Sequence, residues 1–419
     1  MGPITLFDKS FLQSLSVDES VWFDHFFLTN VSPLFYVETL ADLEKSVREG
    51  RTPEQEVGLI ADKFPEMHGA PSAHHTNLCI SNLLGHAVPM TGQILLAGGR
   101  KVNVSGRSGS VFEQSPEAEA FSRWREHEFL EIERQYAQSW RRALSALDLR
   151  QVTKRFRALG IDGKSCRNLE DASALATSAV ATSDRPSERM KLGLLFRFLN
   201  VPWLVQQQIL KGWSIANYPP LVEYAPYAAY VLTVEMFFQI ALATNLISGE
   251  RPSNRVDIAY LFYLPFCMMF ASCDRLHERC TPLFLRRDQG FVWGQELKDG
   301  LGQLNTYYSQ LPDSTKQKGV LSFAAHPPKS GDFFVTRLWD QSFPGWREIN
   351  EANRSDRSEA NSKVLEEIKE MEHAPPLSRD QVDYDSVGTD HVLIKRRVRI
   401  IKGSWYQVPK DLEAPEDHQ

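Results

Sequence analysis

Two short apolar runs that end on acids, far apart in the chain, constrain its fold more than any other feature. Ile4–Phe7 runs into Asp8, and residues 266–272 run into Cys273-Asp274. Apolar runs of this length, bounded by polar residues, read as strands buried on both faces, which belong to parallel sheets covered by helices. The opening segment alternates accordingly. Ile4–Phe7 predicts a strand, and residues 17–28, with Val21, Trp22, Phe26 and Phe27 at helical spacing, predict a helix. Residues 34–37 then read as a second strand and residues 39–48 as a helix closed by Gly50. The expected class is α/β, a parallel sheet flanked by helices.

From residue 51 the character changes. Residues 68–110 are rich in Gly, Pro, Ser and His, and the apolar pieces 93–96 and 101–104 around Gly98-Gly99 read as a small hairpin. Ser115-Pro116-Glu117 is a strong helix start, an N-cap Ser, a Pro in the first turn and an acid at the positive end of the dipole, for a helix running to Leu149. Helices over 151–159, 168–181, 186–199 and 202–213 follow, until Tyr218-Pro219-Pro220 stops the series. Residues 225–247 read as a long buried helix. The turn Arg251-Pro252-Ser253-Asn254 then leads to Asp257, a helix over 258–264 interrupted by Pro265, and the strand over 266–272. The α/β pattern has resumed. The expected divisions are a core split between 1–50 and 225–310, a mainly helical insertion with a Gly/His-rich loop region over 51–224, and a C-terminal extension over 311–419. That extension holds a charged linker over 350–388, one solvated helix over 359–372, and a strand-like segment over 391–405 carrying Lys395, Arg396, Arg397, Arg399 and Lys402.

Composition removes several classes. The 419 residues are 42% hydrophobic and 24% charged, which excludes global disorder, collagen-like repeats and a disulfide scaffold. Five cysteines form no CxxC pair and sit partly in apolar segments, so they read as reduced thiols of a cytoplasmic protein. The start, MGPITLFDKSF, has neither the basic nor the long apolar region of a secretory signal. Residues 225–248 are long enough to span a bilayer but carry Glu235 and Gln239 near their middle, so they read as buried core, with no membrane span expected. A formal net charge of −6 does not advertise nucleic-acid binding; basic residues would have to be concentrated locally.

The acids at the element ends carry the chemistry. Ligands of a parallel sheet gather outside the carboxyl ends of its strands, where Asp8 and Asp274 stand. Asp257 opens the helix before the later strand and Asp42 sits in the first turn of the helix after the second, so a parallel sheet brings all four to one edge. Clustered carboxylates resist burial unless a cation neutralises them, and oxygen-only ligands suit Mg²⁺ or Mn²⁺. Such ions activate water against a phosphodiester. The plainer reading is that these acids are helix caps and solvated surface, as Asp257 after Ser253-Asn254 illustrates.

Four segments resemble the motifs of the PIN-like nucleases. Phe7-Asp8-Lys9-Ser10 is similar to that family's first-strand motif, and Tyr36-Val37-Glu38-Thr39-Leu40-Ala41-Asp42 to its second, with Asp42 at the acid. Asp257-Ile258-Ala259 and Met269-Phe270-Ala271-Ser272-Cys273-Asp274 resemble the third and fourth. The resemblance covers residues 1–50 and 225–310. It departs from the family at Lys9, which replaces a small residue, at Asp42, which replaces a more usual Glu, and in the length of the insertion. It implies a PIN-like parallel sheet and a metal-dependent endoribonuclease. Asp8, Asp42, Asp257 and Asp274 would be ligands of Mg²⁺ or Mn²⁺, Glu38 a reserve ligand, and Ser10 would orient water or metal. RNA is the substrate favoured over DNA, and the family's toxins and antiviral effectors make a restrained, partner-controlled enzyme an expected role. Lys9, Arg286 and Arg287 are the candidate substrate contacts. The rival is a non-catalytic PIN-like subunit that binds nucleic acid, a protein partner or a second copy of itself.

Other features carry two readings each. His68, His74, His75 and His86 have no zinc spacing and read as a polar loop rather than a metal site. Gly98-Gly99-Arg100-Lys101 with Gly106-Arg107-Ser108-Gly109 lacks a phosphate-loop pattern and is either a plain hairpin or a nucleic-acid-binding loop. Asp288 either joins the acid cluster or begins a helix from Gln289, and Glu235 reads as a paired core acid rather than a fifth member of the site. The basic segment at 395–402 either tracks a nucleic-acid backbone or protects an exposed edge strand.

Overall fold

The computed structural model describes residues 2–45, 50–96, 98–104, 106–151, 154, 164–182, 186–348, 357–378 and 391–412. Strand β1 (Ile4–Phe7) leads into α1 (Lys9–Ser14) and α2 (Val17–Phe26), then β2 (Leu28–Val31), α3 (Pro33–Leu40), α4 (Pro53–Asp62) and β3 (Gly69–Pro71). Helix α5 (His75–Leu83), the hairpin β4 (Arg100–Val104) and β5 (Arg107–Phe112), α6 (Pro116–Arg125) and α7 (Glu131–Ala146) follow. Further helices include Leu169–Ala181, Glu188–Phe198, Trp203–Ile215 and Pro226–Ala243, after which β6 (Met269–Ser272) and β7 (Gly290–Trp293) bracket the helix Arg275–Cys280. Helix ends are set by local hydrogen bonds. Ser16 with Glu19 and Thr52 with Gln55 form reciprocal caps on α2 and α4, and Ser32 caps α3 ahead of Pro33.

The chain is α/β. Five parallel strands lie in the order β3-β2-β1-β6-β7, with Leu6 opposite Asn30 on one side and Phe270 on the other. Strand order reverses between β1 and β6, which opens a crevice at their carboxyl ends. Each strand feeds both faces. Ile4, Leu6 and Phe270 enter one core; Phe7, Met269 and Ala271 enter the other. The first core is closed by α5, Leu169–Ala181, Glu188–Phe198 and Pro226–Ala243, so the helices between the two halves form the layer that covers one face of the sheet. Pro226–Ala243 is, among the described residues, the one helix long and apolar enough to cross a membrane, and 72% of it is packed inside the protein. Glu235 on it pairs with Arg255 at 3.0 Å, as a core acid.

Several expected elements are displaced. Residues 34–37 are not a strand but the middle of α3, because Ser32-Pro33 starts a helix there; the second strand is β2, of which the sequence reading placed only Leu28, at the end of a helix. No helix spans 39–45: α3 ends at Leu40 and a 3₁₀ turn, Ala41–Glu44, follows, while 46–49 lie outside the described residues. The edge strand β3 comes from the segment assigned to the insertion. The hairpin partner of β4 is β5 rather than 93–96, since Gly106 with φ of 81° makes the turn; Leu96 instead bridges Ser72. The helix from Pro116 stops at Arg125 and restarts at Glu131. The run before β6 is a short α-helix, Asn254–Ala259, and then 3₁₀ through Tyr260–Phe266, where Pro265 removes a donor. Gln289 precedes a strand, not a helix. Most of 151–159 and of 379–388 lies outside the described residues, while the solvated helix is present as Arg357–His373.

The C-terminal segment folds back on the sheet. Strand β8 (His391–Ile394) adds parallel to β5, and β9 (Ile401–Lys402) pairs with β10 (Trp405–Tyr406). Its cations are largely turned inward: Lys402 Nζ donates to the Phe64 carbonyl at 2.9 Å, Arg399 pairs with Asp62 and Glu66, and Lys395 pairs with Glu113 and Glu372. Trp405 is fixed more firmly still. It meets Trp22 edge-on at 4.6 Å, and both indole Nε1–H groups donate to Asn305 Oδ1, at 3.0 Å from Trp22 and 2.8 Å from Trp405. Asn305→Ala leaves two buried donors without their acceptor. It is expected to lower the unfolding free energy by about 2–4 kcal/mol in denaturant titration; a loss below about 0.5 kcal/mol removes Asn305 from this role.

Candidate active site

Parallel pairing of β1 with β6 sets Asp8 beside Ser272 at the crevice. Asp8 is buried, 4% exposed, and both oxygens are engaged. Oδ1 accepts from the Phe11 N–H at 3.0 Å, capping α1, while Oδ2 accepts from Ser10 Oγ at 2.7 Å and Ser272 Oγ at 2.9 Å. His277, from the helix after β6, lies behind them. Its Nδ1 is 2.8 Å from Ser272 Oγ and 3.4 Å from Asp8 Oδ2, and its Nε2 is 2.7 Å from the Asp257 carbonyl. Burial pushes His277 down, but Asp8, by hydrogen bond and charge, and Asp257 carry it up to about 9. Both ring nitrogens therefore donate at neutral pH. Burial pushes Asp8 up, and the hydrogen bond and charge of His277 with the Ser10 hydroxyl outweigh it, so its carboxyl stays ionised.

The remaining acids divide into two groups. Asp257 is raised to about 7, first by burial and then by the charges of Glu38, Asp274 and Asp8, with His277 opposing. Glu38, from α3, is raised by burial and by Asp8, against Lys9 and the Tyr260 hydroxyl that donates to its Oε2. Asp274 caps the helix Arg275–Cys280 through the Leu276 N–H at 2.6 Å. These three share one electrostatic neighbourhood with Asp8. Asp42 belongs elsewhere: Lys9 Nζ at 2.8 Å and Lys45 Nζ at 2.7 Å both hold its Oδ1. Lys9 also donates to the Glu38 carbonyl at 3.2 Å, so it is a tie between α1, α3 and the turn after α3.

Other expected contributors lie apart. Arg286 and Arg287 precede β7, at the opposite end of the sheet from Asp274, and Arg286 is committed to Asp288 and to the Met90 carbonyl at 3.2 Å. His68 binds the Asp24 carbonyl, His74 caps α5, and His75 meets the Tyr263 hydroxyl. Arg100 in the glycine-rich hairpin is spent on carbonyls of Glu372 and Ala374. The sequence reading missed Ser272, His277 and Tyr260. The signal was present for His277, which stands one helical turn beyond Asp274 on a helix that Asp274 itself starts.

The donors suit a hard divalent cation in kind, since Asp8, Glu38, Asp257 and Asp274 offer only carboxylate oxygen and the charges of the other three raise the proton affinity of Asp257. Among the described residues no three His, Cys, Asp or Glu side chains stand close enough to surround one ion as they are placed. Comparison with protein-family models, with curated proteins and with solved structures finds no match.

Because Asp257 is raised from 3.8 to about 7, the folded protein binds more protons than the unfolded chain between those values, so Asp257 costs stability increasingly as pH rises through that window. In EDTA, Asp257→Asn is expected to stabilise the protein by on the order of 2 kcal/mol at pH 8, with the gain vanishing near pH 4. Thermal melts across pH check it. A gain that does not change between pH 4 and 8 disproves the assignment.

Proposed function

We propose that the protein is a metal-dependent nuclease with a PIN-like α/β core, hydrolysing RNA in preference to DNA in the cytoplasm. The observation that carries this reading is the electrostatic neighbourhood that Asp257 shares with Asp8, Glu38 and Asp274, beside the carboxyl ends of β1 and β6 where the strand order reverses. Asp257, Asp274 and Glu38, with Asp8 beside them, would hold Mg²⁺ or Mn²⁺, which would supply an activated water and neutralise charge on the phosphate. The chain's own groups prepare that site. The Ser272 hydroxyl donates a hydrogen bond to Asp8 while accepting from the His277 Nδ1–H and from the Asp274 N–H at 2.9 Å, so one hydroxyl fixes three residues of the cluster. Ser10 holds the same Asp8 oxygen and accepts from the Cys273 N–H at 3.1 Å, tying the end of β1 to the end of β6. The free state of all five cysteines agrees with a reducing compartment.

A second reading has its own support. Asp42 is neutralised by two lysines, and among the described residues no three His, Cys, Asp or Glu side chains stand close enough to hold one ion, which favours a non-catalytic subunit that binds nucleic acid or assembles with a partner or a second copy. Cleavage of labelled single-stranded RNA, tRNA and DNA with Mn²⁺ and with EDTA separates the two. RNA cleavage is expected with Mn²⁺ alone, abolished in Asp257→Asn/Asp274→Asn and reduced about 10–100-fold in His277→Phe, whose ring positions Asp8. Binding of RNA without metal, and no cleavage of any substrate, decides for the subunit.

A further inference from the structure

A second site lies on the same end of the sheet, two strands away. A cavity of about 370 Å³ opens at the carboxyl ends of β2 and β3, bounded by α6 and by the segment after β8. That volume falls at the small end of ligand pockets, roughly 300–1,000 Å³. Its walls include the rings of Phe64 and Phe112. Two lining side chains have polar atoms with nothing to bond. Ser72 is 5% exposed and its Oγ has no hydrogen-bond partner; the Gln114 Oε1 is buried in the same condition. A buried, unpaired polar atom costs about 1–3 kcal/mol, a cost that a ligand removes.

The charge at the cavity points the same way. Four cations and three carboxylates line it, and of the carboxylates Glu66 is matched by Arg125 and Arg399, and Glu113 by Lys395. Arg396 gives its Nε to the Gly69 carbonyl at 3.1 Å, while its Nη groups hydrogen-bond to nothing among the described residues. Burial depresses this guanidinium, which an anion would reverse.

We propose that this cavity binds a nucleoside monophosphate unit whose base carries an amino group. The base lies against Phe64 and Phe112 and donates to Gln114 Oε1, the ribose meets Ser72, and the phosphate takes the Arg396 fork. Other anions satisfy fewer of these groups. A fatty acid leaves Gln114 and Ser72 unpaired, and a sugar phosphate leaves the aromatic walls wet.

The test is calorimetric titration of the full chain in EDTA with AMP, CMP, GMP, UMP and their nucleosides, so its outcome is independent of whether the carboxylates cleave anything. At least one of AMP, CMP and GMP is expected to bind at one site per chain, more tightly than UMP and about tenfold or more tighter than its own nucleoside. Arg396→Met is expected to bring the nucleotide down to the nucleoside's affinity. Gln114→Leu, which removes an acceptor that has no hydrogen-bond partner within the fold, is expected to weaken binding by about tenfold while the melting temperature of the free protein holds or rises. A four-nucleotide RNA separates the two sources of the unit: tighter binding that Arg396→Met removes assigns the cavity to a strand, and exclusion of the oligomer assigns it to a free nucleotide. No binding of any nucleotide at millimolar concentration, or affinities unchanged in both variants, overturns the proposal.

Discussion

The parallel pairing of β1 with β6 is the contact on which the rest depends. It joins residues 4–7 to residues 269–272 across almost the whole helical region, so loop-closure entropy must be met before its hydrogen bonds form. What offsets that cost is burial on both faces. Leu6 and Phe270 pack with Tyr227 and Phe266 on one side, and Phe7 meets Phe23 and Phe35 edge-on, at centroid distances of 5.5 and 5.0 Å, on the other. The helices between β3 and β6 are therefore not an appendage. Without Pro226–Ala243 and its neighbours, the Ile4 and Leu6 side of the sheet would face water.

The same pairing creates the electrostatic problem that the site solves. It carries Asp8 into a position where it is buried almost completely, beside a second strand end that also carries an acid. The imidazole of His277 is the compensating charge, and Ser272 is the wire between them. One cation cannot serve four acids. Asp8 takes His277, Asp42 takes Lys9 and Lys45, and Asp257 is pushed up to about 7 by burial and by the neighbouring carboxylates.

How far the sequence could be read follows from which forces are local. Ile4–Phe7, Ser115-Pro116 and the buried run at 226–243 were legible because apolar continuity and capping act within a few residues. β2 was not: Leu28–Val31 follows α2 with only Phe27 between, and the aromatic content of Leu34–Val37 imitates a strand although Ser32-Pro33 commits it to a helix. In the site, Asp8 and Asp274 were legible as strand ends, whereas the separation of Asp42 from Asp257 was not. Both acids sit in first turns; Asp42 differs in having Lys45 three residues on and Lys9, which tertiary folding delivers from α1.

The end of the sheet thus has an electrical direction along it. At β1 and β6 the carboxylates exceed the cations, and Asp257 stays half-protonated near pH 7. At β2 and β3 the balance is reversed, with Arg396 carrying unused donors over an aromatic wall. On the two readings proposed above, a phosphate would settle at the second place unaided and approach the first only with a cation. On the proposed readings binding and chemistry are separable, since nucleotide binding at the cavity would need no metal and metal binding at the carboxylates would need no base.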